Sequence, residues 1–266
     1  MSRAISRLIL LLLLLILTCP SAPAQSQTAA NTPTPILIEL FTSEGCSSCP
    51  PADAWLQQLD ASQPIPGAQA IVLSEHVDYW NHDGWKDPFS SPSLTERQSE
   101  YVRIMGLSSP YTPQLIVDGK TELQLTSTEQ VDQDLLKAVK PAQVPVSIGV
   151  VSIDGDSPAT LHAHITADGA AEKHNAEIFA VIALDHAESQ VLRGENGGRR
   201  LTHVAVAQEI VRIGKLEKGK TFARDYQATL KSGLDPKNLR LIVFVQEPGP
   251  GQVLGAAQQK VSPSTK

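Results

Sequence analysis

Cys46 and Cys49 stand three apart in the stretch "ELFTSEGCSSCPPADAWLQQL", which runs from Glu39 to Leu59. Two thiols at this spacing can cycle between dithiol and disulfide, supply half of a metal site, or staple the chain. A staple closing so short a loop stabilises by about 2 kcal/mol, near the bottom of the useful range. Structural zinc takes four closed ligands, and no histidine here stands at Cys-His ligand spacing. For redox chemistry the position is better suited. A thiol just ahead of a helix meets free N–H groups and the positive end of the helix dipole, both of which favour the attacking thiolate. Cys46 is then the nucleophile and Cys49 the resolving thiol. Pro50 and Pro51 lack N–H groups and belong in a helix's first turn. The regular helix is therefore expected to begin near Cys49 or Pro50, with Cys46 in the loop before it. Glu44, negative and close, works against the thiolate.

A second concentration of reactive types is "EHVDYWNHDGWKDPF". His76, Asp78, Tyr79, Trp80, His82, Asp83 and Trp85 fall within ten residues. A loop this polar and aromatic suits a substrate groove built from His76, Asp78, Trp80 and Trp85, because loops carry function. The same residues also suit a metal site beside the thiols, or an ordered loop packed over a domain junction. His162 and His164 are two apart, hence on one strand face, and read as exposed strand residues. "RGENGGRR" (193–200) contains the turn signal Asn196-Gly197-Gly198. It reads as a hairpin tip that could reach the active edge through Arg193 or Arg199.

The elements that must position these residues follow from hydrophobic period. "ILIELF" (36–41) and "AQAIVLSEH" (68–76) are nearly continuous apolar runs, as in strands buried on both faces of a parallel sheet. Between them Trp55, Leu56 and Leu59 recur at helical spacing. Strand, helix, strand favours a right-handed crossover and a parallel sheet, with sites beyond the carboxyl ends of the strands. Cys46 and the "EHVDYW" loop both emerge at that edge. Ser93-Leu94-Thr95-Glu96 resembles a capping box opening a helix that ends at Gly106. "TPQLIVDGK" is a strand closed by the hairpin signal Asp118-Gly119, with "TELQL" as its partner. A last helix opens at a second capping box, Ser127 to Gln130, with Val131, Leu135 and Val139 on one face, and stops before Pro141. From about residue 142 the period changes to two. "VPVSIGVVSI", "ATLHAHITA", "AEIFAVIALD", "VLRGE", "RLTHVAVAQEIVRI", "RDYQATL", "LRLIVFVQE" and "GQVLGAAQQK" predict an all-β, sandwich-like part over 142–262.

The N-terminus, with Arg3 and Arg7, an apolar run from Leu8 to Leu17 and Ala22-Pro23-Ala24, reads as a secretory signal peptide cleaved after Ala24. The run is shorter than the roughly 18–20 residues that a membrane span requires. Residues 25–34 read as a linker. Cleavage removes Cys19 and leaves Cys46 and Cys49 as the single pair in an oxidising, periplasmic or extracellular space. It also removes two arginines, so a net charge of −6 becomes −8. With no basic tract and only 5% aromatic residues, nucleic-acid binding is not expected, nor is a stable membrane span after cleavage.

The order of elements over residues 35–141 resembles the thioredoxin-like superfamily. "ILIELFTSEGCSSC" looks like its catalytic strand and loop, and "YTPQLIVDGK" looks like its cis-proline strand. The resemblance implies a cis Thr112–Pro113 bond beside the disulfide, with the Thr112 backbone pairing with substrate. It also implies a buried carboxylate in the first strand. Glu39 would fill that role and relay protons to Cys49, the other reading being a carboxylate paired at the sheet margin. "FTSEGCSSCPPAD", "HVDYWNHDGWKDPFS", "YTPQLIVDG" and "RGENGGR" together look like an exported family called domain of unknown function 1223. It joins a thioredoxin-like fold to a β-rich C-terminal part. The expected function is that of an exported thiol–disulfide oxidoreductase acting on protein or small-molecule thiols, with no cofactor. The rival expectations are a copper delivery module using the two thiols with His76 or His82, and a non-catalytic binding protein. Ser47-Ser48 departs from the central dipeptides of familiar thioredoxins, which leaves the direction of exchange open.

Overall fold

The computed structural model describes residues 33–261, apart from 126–127, 141, 143, 156–157 and 173. The expected signal peptide, most of the linker and Ser127 lie outside the described residues.

Strand β1 (Thr34–Thr42) and strand β2 (Ala68–His76) pair in parallel from Thr34↔Ala68 to Thr42↔His76, joined by helix α1 (Pro50–Ser62). The prolines do set the helix start: Cys49 is the N-cap residue and Pro50 and Pro51 open the first turn, where missing N–H groups are of no consequence. Helix α2 (Pro92–Met105) is capped by Ser91, whose side chain accepts from the Ser93 N–H. This moves the cap two residues ahead of the expected box, because Pro92 is suited to the first helical position. Gly106 ends the helix at φ 67°. Strand β3 (Gln114–Val117) runs antiparallel to β1 and turns through Asp118 and Gly119, both at positive φ, into β4 (Thr121–Leu123). Helix α3 (Thr128–Ala138) follows.

Alternation along β1 sorts the layers. Ile36, Ile38 and Leu40 pack with Trp55, Leu56 and Leu59 of α1 and with Val131 and Leu135 of α3. Leu37 and Phe41 face the other way, toward Leu94 and Tyr101 of α2.

The remaining strands are β5 (Val146–Asp154), β6 (Thr160–Asp168), β7 (Ala176–Gln190), β8 (Arg200–Leu216), β9 (Thr221–Thr229), β10 (Leu239–Gln246) and β11 (Val253–Lys260). "VLRGE" is not a strand of its own. It belongs to the turn between the two longest strands, closed by Val191 and Arg199, whose backbones bond at 2.9 Å. Three strands, β5-β6-β9, form a small sheet. Leu161, Ala163 and Ile165 of that sheet pack against Ile178 and Ile182 of β7 and Leu241, Val243 and Val245 of β10. This is the two-layer packing expected of a sandwich. Its second layer, however, does not end within the C-terminal strands. The order β11-β10-β7-β8-β2-β1-β3-β4 makes one mixed sheet of eight strands, with β8 beside β2 at Ser74↔Val206. Ala205, immediately before that junction, sits at φ 48°, a left-handed conformation that costs a non-glycine residue about 1–3 kcal/mol. No helix among the described residues is long and apolar enough to cross a membrane.

Candidate functional site

The parallel strands end at one edge, and there the chain places the two cysteines. Turn bonds from Cys46 N–H to the Ser43 carbonyl (3.2 Å) and from Cys49 N–H to the Cys46 carbonyl (3.2 Å) fold the loop onto the head of α1. Cys46 and Cys49 form a disulfide with Cα atoms 5.5 Å apart. The Thr112–Pro113 bond is cis, and the Thr112 carbonyl oxygen lies 3.8 Å from Cys46 Sγ. Ser48 Oγ is 3.3 Å from the same sulfur.

Two tryptophans of the polar loop flank this arrangement. Trp80 donates its Nε1–H to Thr112 Oγ1 at 2.8 Å and closes on Gly45, where an added Cβ would lie 2.9 Å from Trp80 Cβ. Trp85 donates to Glu44 Oε2 at 2.8 Å. The other two groove candidates are placed differently. His76 is fully buried, its Nδ1 2.7 Å from Asp87 Oδ2 and its ring 4.6 Å from that of His203. Asp78 ties the loop to α2, accepting from Thr95 Oγ1 at 2.6 Å. His76 therefore supports the loop from within, and Asp78 is half-buried at its tie to α2. His82 is exposed, 3.3 Å from Asp83. Among the described residues no three His, Cys, Asp or Glu side chains are grouped to hold a metal ion. His162 and His164 on β6 face Asp154 and Asp225 at 3.4 and 2.6 Å.

Glu39 departs from the expected relay. Alternation turns it to the α2 side of the sheet, opposite the face that packs α1. Its oxygens accept from Arg97 Nε (2.9 Å) and from Tyr101 Oη (2.7 Å). Arg97 is also 3.6 Å from Glu75. Burial, and then the adjacent Glu39 charge, push the Glu75 carboxyl well above the usual range even beside that guanidinium.

The buried carboxylates near the cysteines are instead Glu44 and Asp53. Glu44 accepts from Trp85 on one oxygen and from Ser189 Oγ on the other. Its backbone N–H donates to Asp87 Oδ2 at 2.8 Å. Asp53 stands one turn along α1 from Cys49, its N–H bonded to the Cys49 carbonyl at 3.1 Å, and accepts from Thr42 Oγ1 at 3.2 Å. His203 of β8 lies between the two acids, 3.3 Å from Glu44 Oε1 and 3.6 Å from Asp53 Oδ1, and is 1% exposed. Burial alone would lower its pKa, but the two carboxylates outweigh it and raise the imidazole to about 9. Burial likewise pushes Asp87 up, yet the His76 charge and hydrogen bonds hold it below the usual range.

The "RGENGGR" turn reaches the site through residues other than the expected arginines. Asn196 Nδ2 donates to the Glu44 and Cys46 carbonyls, both at 2.9 Å, and Arg199 fixes Asn196 by donating to its Oδ1 at 2.7 Å. Glu195 accepts the Ser47 N–H at 3.0 Å. Under this clasp both cysteines are 0% exposed, while Ser47 and Ser48 face outward. A histidine in the otherwise apolar run "LTHVAVA" was the one available signal for His203. Asp53, in a first helical turn, has the look of an ordinary dipole-pairing acid.

The chain belongs to the family described as "Protein of unknown function (DUF1223)", whose model matches residues 37–246. Two solved structures share its architecture. Protein AGR_C_4864 from Agrobacterium tumefaciens is 24% identical over 88% of this chain and 97% of its own, with a TM-score of 0.67. HBP35 of Porphyromonas gingivalis is 16% identical over 88% of this chain and 78% of its own, with a TM-score of 0.65. At these identities the likeness is one of fold. No curated protein matches the chain.

Proposed function

We propose that the protein is an exported thiol–disulfide oxidoreductase with a thioredoxin-like core over residues 35–141 and a β-rich part over residues 142–262. The carrying observation is the Cys46–Cys49 disulfide at the head of α1, with the carbonyl before a cis-proline 3.8 Å from Cys46 Sγ. The sheet order β2-β1-β3-β4, with α1 and α3 on one face and α2 on the other, also supports this reading. So does the signal-like N-terminus, which favours export to the periplasm or beyond. The substrate is a thiol- or disulfide-bearing protein or small molecule.

In the exchange, Cys46 thiolate attacks a substrate disulfide, one substrate sulfur leaves as thiol, and a mixed disulfide forms. Cys49 then attacks Cys46 Sγ, releasing the second substrate thiol and closing the protein disulfide. Trp80 and Thr112 shape the approach, and Trp85 holds the loop through Glu44. Purified protein should reduce insulin with dithiothreitol as donor, or oxidise a reduced peptide, and Cys49→Ala should trap mixed disulfides through Cys46. Inactivity in both assays, with no trapped species, would remove the proposal. The competing reading, an inert disulfide in a binding protein, takes its support from the complete burial of both cysteines. It expects a Cys46→Ser, Cys49→Ser double variant to retain full cellular function.

A further inference from the structure

The surroundings of the cysteine pair point to a direction of electron flow, and we infer that this is a low-potential dithiol, a donor of electrons to substrate disulfides. The inference deepens the oxidoreductase reading and rests on it for its substrate. A dithiol becomes strongly oxidising when its reduced form is stabilised as thiolate. The usual means are hydrogen-bond donors at a helix N-terminus and nearby cations. The Ser48 hydroxyl, 3.3 Å from Cys46 Sγ and within 3.5 Å of the Thr112 carbonyl, is the one donor left beside the sulfur, and the other means are countered. Pro50 and Pro51 remove two of the first donors of α1. The Ser47 N–H, between the two cysteines, is already taken by the Glu195 carboxylate, which the Ser47 hydroxyl, and then this N–H, hold below the usual range. Cys46 Sγ faces the Thr112 carbonyl oxygen, an acceptor that suits S–H and opposes S⁻.

The charged groups around the pair add to this. Glu44 precedes Cys46 by two residues, Asp53 follows Cys49 by one helical turn, Asp87 lies behind Glu44, and Glu195 lies above the loop. Against these four carboxylates stand His203, between Glu44 and Asp53, His76, already paired with Asp87, and Arg199, which reaches the loop only through Asn196. With both histidines and Arg199 charged the balance is still one negative charge, and no cation contacts either sulfur among the described residues, so the reduced form is held as neutral thiols.

The reaction is then dithiol plus substrate disulfide giving protein disulfide plus two substrate thiols. Two electrons pass from the Cys46 and Cys49 sulfurs to the substrate sulfurs, and the two thiol protons leave with the products. A dithiol donor of still lower potential returns the protein to its reduced form, the part dithiothreitol plays in vitro.

The test is to measure the pH midpoint of Cys46 alkylation by iodoacetamide in the fully reduced protein, a readout of charge and not of access. Reduction in glutathione mixtures is followed in parallel by mass shift after alkylation. The wild-type midpoint is expected at or above the ordinary thiol value of about 8.5, and the disulfide should persist in equimolar reduced and oxidised glutathione. Glu195→Gln keeps an acceptor for Ser47 and loses only the charge, so at low salt it should raise the alkylation rate at pH 7 about twofold. Glu44→Gln should raise it up to about tenfold, and if that buried variant fails to fold the exposed Glu195→Gln decides. A wild-type midpoint below 7, or a Glu195→Gln rate equal to or below wild type, would overturn the inference. The midpoint does not depend on turnover. A high midpoint with neither insulin reduction nor peptide oxidation, and no species trapped by Cys49→Ala, would refute the oxidoreductase reading, and a low midpoint with active turnover would refute only the direction.

Discussion

His203 Nε2 lies 3.3 Å from Glu44 Oε1, two buried side chains brought together from positions 159 residues apart in the chain. Their pairing makes stability depend on pH with a definite sign. The His203 pKa is raised to about 9 from an ordinary value near 6.5. Its contribution is therefore fully present below about pH 6.5 and is lost as pH rises through about 9. The unfolding free energy from denaturant titration should fall between pH 7 and 9.5, by on the order of 3 kcal/mol at most. His203→Gln should flatten that slope, and an unchanged slope in the variant would refute the assignment.

Glu39 should matter for stability and leave thiol chemistry alone. Its removal takes the nearer carboxylate from Arg97, whose side chain is only 11% exposed, and leaves it Glu75 at 3.6 Å. Breaking such a buried pair costs about 3–5 kcal/mol. We expect Glu39→Ala to lose stability of that order in urea, while the rate of dithiothreitol reduction at Cys46–Cys49 stays within twofold of wild type. A tenfold change in that rate without loss of stability would restore Glu39 to the relay role.

Asn196 bonds two carbonyls of the cysteine loop and is itself fully buried. Asn196→Ala takes the side-chain donor from the Glu44 carbonyl and leaves the Cys46 carbonyl only the Cys49 N–H, at a cost of about 1–3 kcal/mol for a buried group left unpaired. Loosening the turn should open the buried disulfide, so the variant should be reduced faster by a bulky thiol than wild type. Equal rates for the two proteins would show that the turn does not control access.

Asp118 offers a gain of stability. Its Oδ1 accepts the Leu37 N–H at 2.8 Å, and its backbone sits at φ 47°. Burial, and then the Glu39 charge, push its pKa up to about 7 despite that hydrogen bond. A raised carboxyl is most favourable while protonated, so stability is lost as pH rises from about 4 through 7. Asn tolerates the left-handed conformation and keeps the acceptor. Asp118→Asn should raise the unfolding free energy at pH 8.5 by about 1–2 kcal/mol and do nothing at pH 4.

The local features were legible because they are local. Pro50 and Pro51 announce where α1 begins, and Asp118-Gly119 announces the β3–β4 turn. The continuous apolar runs of β1 and β2 call for burial on both faces, which they have. What could not be read depends on pairing across long separations. Nothing in "RLTHVAVAQEIVRI" says that β8 bonds β2 as well as β7, so His203 could not be assigned to the cysteine loop. Of the two readings of Glu39 the geometry matches the paired carboxylate, and period alone could not choose between them, because alternation divides the faces of β1 without saying which face receives α1. "RGENGGR" reads as a turn from its Asn-Gly-Gly, but composition does not say that Glu195 and Asn196, rather than its arginines, bond the backbone of the cysteine loop.

The junction of β8 with β2 has a practical consequence for cutting the gene. A clone ending near residue 141 would contain both cysteines, the cis-proline and all three helices, and by inspection would pass for a complete redox module. It would lack His203, Ser189 and Asn196, all three partners of the Glu44–Cys46 segment. It would also expose the β2 edge and leave Glu44 and Asp53 without the imidazole between them. Such a fragment should be recovered aggregated or loosely folded. Grafting this loop onto another scaffold would need the β7–β8 hairpin to travel with it.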